Sequence, residues 1–196
     1  MMKPGFFKRL YTPQSLFQLF MVCAFPLHAW TLFAAFRDFA WVALRTYTWD
    51  AIGLVSYALA FALVETIGVF LLVLLMGLLV PASWEMDKRT AIIGTAFLVI
   101  ASWSILSQIY SSFGYPLPNW LLRVLMQSMH PLRILWGAIL PVVTLSVVVP
   151  IILVVKREQA KKLVIGFFER ISVLSSFYIF LDLLGIIIII VRNMHK

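Results

Sequence analysis

The sequence predicts an all-α integral membrane protein, a bundle of five transmembrane helices with short interfacial helices and no soluble domain. Three observations predict it. Of 196 residues, 63% are hydrophobic and 12% charged, against roughly 45–50% and 25% in soluble domains. The mean hydropathy is +1.00. Five runs are almost free of charge, 16–36, 51–80, 90–110, 134–155 and 171–191, each long enough to cross a hydrocarbon core of ~30 Å. An uninterrupted apolar run must satisfy its backbone internally, so the spans are helices. A membrane barrel would show short alternating strands instead. No repeat, linker or low-complexity tract divides the chain, so residues 1–196 read as one polytopic domain.

The first run follows Lys3, Lys8 and Arg9 in the manner of a secretory signal, yet it continues past Pro26 and His28 and ends without a small-x-small site. It reads as an uncleaved first span. The second run would reach about 45 Å as a helix, so it must tilt, project or begin at the interface. Trp41, Tyr47 and Trp49 between these two runs have the composition of a headgroup-level aromatic belt. After Pro81, the residues Trp84, Glu85, Asp87, Lys88 and Arg89 read as a solvated turn.

Beyond the third run, Pro116 and Pro118 introduce a segment with Trp120, Leu121, Val124 and Leu125 on one side and Arg123, Gln127 and His130 on the other. That spacing predicts a helix lying in the interface. Pro141 and Pro150 fall inside the fourth run, where membrane helices tolerate proline as a kink. The stretch 156–170 is again amphipathic and reads as a surface connection before the fifth run.

The net charge of +8 would suggest nucleic acid in a soluble protein, but here the basic residues gather at span ends and nucleic acid is excluded as a partner. Ten Lys and Arg flank one side of the proposed bundle and six the other. The positive-inside rule therefore puts the N-terminus in the cytoplasm and, with five spans, the C-terminus outside. Lys156, Arg157, Lys161 and Lys162 are placed to meet anionic headgroups. Short loops and the absence of an organelle-type presequence point to a bacterial inner membrane. The lone Cys23 allows neither an intramolecular disulfide nor a multi-cysteine metal site.

Chemistry, if any, belongs to the ionisable residues inside spans. An Asp at a helix centre costs about 2.5–3.5 kcal/mol on insertion scales, so each such group needs a partner or a task. His28, Glu65 and Asp182 share a depth of roughly 16–20 Å from the cytoplasmic edge. Each lies on a stripe of small or hydroxylated residues: Ala24, His28, Thr31 and Ala35; Ala58, Ala62 and Glu65; Ser175, Tyr178, Asp182 and Gly185. A fourth stripe holds Gly94, Ala101, Ser104 and Gln108. Small residues let helices approach closely, so His28, Glu65, Asp182, Tyr178 and Gln108 are expected to face one another inside the bundle. Such a set can be a polar clasp or a protonation and cation site. Arg123, His130 and Arg133 form a second candidate, an outer site for an anionic headgroup.

No nucleophile elbow, P-loop, dinucleotide fingerprint or zinc motif is present. No catalytic residue, cofactor or metal ligand is therefore assigned. The leading functional expectation is a non-catalytic subunit that anchors or assembles a membrane complex, with a protein partner or a second copy. The alternatives are a small oligomeric proton- or cation-coupled carrier using the midplane carboxylates, and an envelope lipid-modifying enzyme using the outer arginines.

Overall fold

A computed structural model describes residues 11–114 and 116–194. Among these residues every regular element is helical. Five helices are long and apolar enough to cross a membrane. They are α1 (Pro13–Ala43), α2 (Thr48–Met76), α3 (Met86–Ser112), α5 (Pro131–Lys156) and α6 (Glu158–Met194), with the short α4 (Asn119–Gln127) between α3 and α5. Lys3, Lys8, Arg9 and His195 lie outside the described residues.

Local chemistry sets the helix ends. At the start of α1 the Thr12 hydroxyl accepts from the Ser15 backbone N–H at 3.1 Å and the Ser15 hydroxyl accepts from the Thr12 N–H at 2.9 Å. This is a reciprocal cap with serine in the position usually held by Glu, and Pro13 occupies the first turn, where its missing N–H costs nothing. Gly114, with φ of 61°, turns the chain out of α3, a conformation that a side chain would resist. The second apolar run becomes α2, and its end tightens into a 3₁₀ turn over Gly77–Leu79.

The predicted connection 156–170 is corrected. Only Arg157, in an extended conformation, interrupts the chain between α5 and α6. Residues 158–170 are the first turns of the 37-residue α6, which at 1.5 Å per residue reaches about 55 Å and outruns a hydrocarbon core. The apolar side of that stretch packs inward, with Phe168 1% exposed.

The centre of the bundle is α1, which packs against α2, α3 and α6. Leu19, Val22, Cys23, Ala24 and His28 are each fully buried. Nearly every side of the helix is thus covered, as in a core helix. α5 is peripheral, touching α3, α4 and α6. The register follows from side-chain pairs. Met21 meets Ser175 and His28 meets Asp182, so α1 and α6 run parallel. Ser56 faces Gly185 while Trp49 and Asp50 bind Arg192, so α2 runs against them.

Polar contacts tie both ends. At the end where α1 begins, Tyr11 donates to the Leu74 carbonyl at 2.8 Å. Burial pushes the Tyr11 phenol above its ordinary pKa, against the opposing pull of the Arg89 guanidinium. Arg89, expected in a solvated turn, is 1% exposed and donates to the Gly77 carbonyl at 3.2 Å. Lys161, expected at lipid headgroups, is also buried, and its ammonium bridges Glu85 at 2.6 Å and Glu158 at 2.8 Å. The reason is local: Glu158 stands one turn before it and Glu85 opens α3 alongside, so the protein itself supplies the anions. Lys156, Arg157 and Lys162 are exposed. At the opposite end Arg192 binds Asp50 at 2.8 Å.

Candidate functional site

The polar centre lies where the first and last long helices meet. Positions 21, 25 and 28 of α1 recur about one turn apart, as do 175, 178 and 182 of α6, so parallel helices present them to each other in register. The Ser175 hydroxyl donates to the Met21 carbonyl at 2.8 Å. Tyr178 stacks on His28, with ring centroids 5.7 Å apart and an interplanar angle of 9°. Phe25 also stacks with Tyr178, with ring centroids 6.4 Å apart and an interplanar angle of 29°. His28 and Asp182 are each 0% exposed.

Hydrogen-bond geometry constrains the protons. His28 Nδ1 lies 2.8 Å from the Ala24 carbonyl oxygen, which can only accept, so Nδ1 carries a hydrogen. Nε2 lies 2.9 Å and 3.1 Å from the two Asp182 oxygens. One proton then joins Nε2 to the carboxyl group, either as imidazolium and carboxylate or as imidazole and carboxylic acid. The pair is neutral overall in both forms, which suits burial, because an unpaired charge there would be far costlier. Chemically the pair can hold helices together and can hold one exchangeable proton.

Of the five midplane residues expected together, the structure joins His28, Asp182 and Tyr178, and separates the other two. Glu65 is exposed on the outer face of the bundle, at the edge of an α1–α2 groove of about 420 Å³ that includes Trp30, Thr31, Ala58 and Ala62. It has no hydrogen-bond or ion-pair partner among the described residues. Consecutive residues of a helix diverge by about 100°, and the buried face of α2 runs through Leu59, Ala62, Thr66 and Val73. Thr66 therefore points inward and Glu65 outward. Gln108 is likewise exposed. All buried residues of α3 lie between Arg89 and Ala96, so of its predicted stripe only Gly94 is in the packed core.

Of the outer candidate set, Arg123 lies on α4, His130 precedes α5 and Arg133 sits in its first turn, and all three are exposed. Among the described residues no three His, Cys, Asp or Glu side chains cluster as a metal-binding group.

Two inward polar residues were not singled out in the sequence. Thr66 is buried with its hydroxyl unpaired, and Trp103 of α3 donates from Nε1 to the Ser146 hydroxyl of α5 at 2.8 Å. The two residues lie 43 positions apart on different helices, so only tertiary packing reveals that bond. The chain matches no protein-family model, no curated protein and no solved structure, and its functional reading rests on its own geometry.

Proposed function

We propose that this chain is a non-catalytic subunit that assembles with a partner inside a membrane, a bacterial inner membrane with the basic end of the bundle cytoplasmic. One contrast carries the reading. The ionisable groups buried inside the bundle at mid-depth satisfy each other, His28 with Asp182, whereas Glu65 is exposed on the outside and has no hydrogen-bond or ion-pair partner among the described residues. A polar group that a folded chain leaves unsatisfied at membrane depth is best accounted for by a protein that covers it. Lys156, Arg157 and Lys162 supply headgroup contacts at the cytoplasmic face.

The test is purification of the tagged chain from its native host in nanodiscs, followed by native mass spectrometry. A hetero-complex of fixed stoichiometry is expected. A monomer or a pure homo-oligomer overturns the reading and favours the carrier.

The carrier keeps one specific observation in its favour, the buried contact of His28 Nε2 with the Asp182 carboxyl group, a pair that can hold one exchangeable proton. It requires proton-coupled uptake by vesicles that is lost in Asp182→Asn. The lipid-modifying alternative has less support, because no cluster of metal-binding carboxylates accompanies Arg123, His130 and Arg133 among the described residues.

A further inference from the structure

We infer that Glu65 is the docking point for a partner transmembrane helix that carries a Lys or Arg at mid-depth; the inference rests on the subunit reading and names the chemistry of the partner. Glu65 is seventeen residues into α2 and eleven from its end, so a helix placed across a bilayer holds this carboxyl within the hydrocarbon and away from both surfaces. It has no hydrogen-bond or ion-pair partner among the described residues. Around it the groove is walled by small and apolar side chains, Ala58, Ala62, Phe61 and Trp30 among them. Small residues allow another helix to come close, and a carboxylate gives it one point of strong attraction.

The occupant can be argued by charge. Lipid tails offer no hydrogen bond. A second copy of this chain offers no suitable cation, since every Lys and Arg lies outside the five apolar runs. Its one mid-depth base, His28, is fully buried and already bonded to Asp182. A different helix with its own basic residue meets the need on both sides, because that cation is as costly alone in a membrane as the carboxylate. The open volume of about 420 Å³ beside Glu65 is where its side chains would enter.

The experiment reconstitutes the full chain in vesicles of phosphatidylcholine and phosphatidylglycerol with Leu-rich host peptides of about 21 residues bearing Lys or Leu at the centre. Association is read by energy transfer. The Lys peptide is expected to bind about tenfold tighter than the Leu peptide, the ratio that one interhelical polar contact supplies. Glu65→Gln should abolish that preference. Ala58→Leu, which fills the groove and leaves the carboxyl in place, should weaken binding of the Lys peptide. Equal binding of both peptides, or a preference unchanged in Glu65→Gln, overturns the inference. Self-association of the chain that disappears in Glu65→Gln also overturns it, by making a second copy the occupant. A stoichiometric partner found by native purification alongside such a failure leaves the subunit reading intact and removes only this contact.

Discussion

Gly185 of α6 faces the backbone of Ser56 in α2 so closely that a Cβ added there would stand 3.2 Å from the Ser56 carbonyl oxygen. Backbone cannot yield as a flexible side chain can. Gly185→Leu is expected to force the two helices apart and to destabilise the chain by about 1–3 kcal/mol. Gly68 on the same helix as Ser56 has no neighbour within 4 Å of its added Cβ. Gly68→Ala should be neutral or gain up to ~1 kcal/mol from the lower backbone entropy of alanine. Thermal unfolding in detergent, followed by far-UV circular dichroism, separates the two.

The neutral His28–Asp182 pair makes a graded prediction. In Asp182→Asn the amide N–H can donate to Nε2 of a neutral imidazole, so the loss should stay within ~1 kcal/mol. Asp182→Ala leaves a buried Nε2 without a partner and should cost about 1–3 kcal/mol. Replacing both residues by Leu removes the polar groups together and should recover part of that loss. If Asn proves as damaging as Ala, the carboxylate charge is essential and the proton belongs to the imidazole.

The Trp103–Ser146 bond joins α3 to the peripheral α5. Trp103→Phe keeps most of the ring and loses the donor, at an expected cost of about 0.5–1.5 kcal/mol. Ser146→Ala should cost a similar amount, and the double variant should cost less than the two combined. A double-mutant cycle on unfolding free energies checks this.

The proposed orientation, basic end cytoplasmic, predicts a labelling pattern. Cys23 is fully buried and should stay unlabelled, so the native chain serves as the background. Thr46→Cys lies in the turn after α1 and Ser83→Cys in the turn before α3. An impermeant maleimide should reach Ser83→Cys only from the cytoplasmic face and Thr46→Cys only from the other. Labelling of both from one face would remove a span, and exchanged faces would invert the bundle.

Much of the fold was legible because apolar runs of this length leave the backbone few choices. The five long helices and α4 lie where hydropathy and the spacing of Trp120, Val124 and Arg123 put them. Residues 156–170 misled because charge was read as a connection. Lys161 finds its anions in Glu158 and Glu85, so the charged stretch winds into α6.

The candidate site divides along the same physics. His28 and Asp182 were legible from depth and from the small-residue stripes beside them. Glu65 shares both signals, but Ala62 belongs to either of two adjoining faces, and only the burial of Thr66 in the folded bundle decides between them. Gln108 failed for another reason. Its stripe assumes that α3 is packed along its whole length, and the buried part ends near Ala96.

The contacts between Met21 and Ser175 and between His28 and Asp182 each join residues 154 positions apart. At ~5–20 residues per second, about 8–30 s of synthesis separate the two halves of each bond. During that interval His28 has its Nδ1 partner, the Ala24 carbonyl, within the same helix, while the Nε2 partner does not yet exist, and the loop to be closed is most of the chain. The order of birth therefore makes α6 the latch.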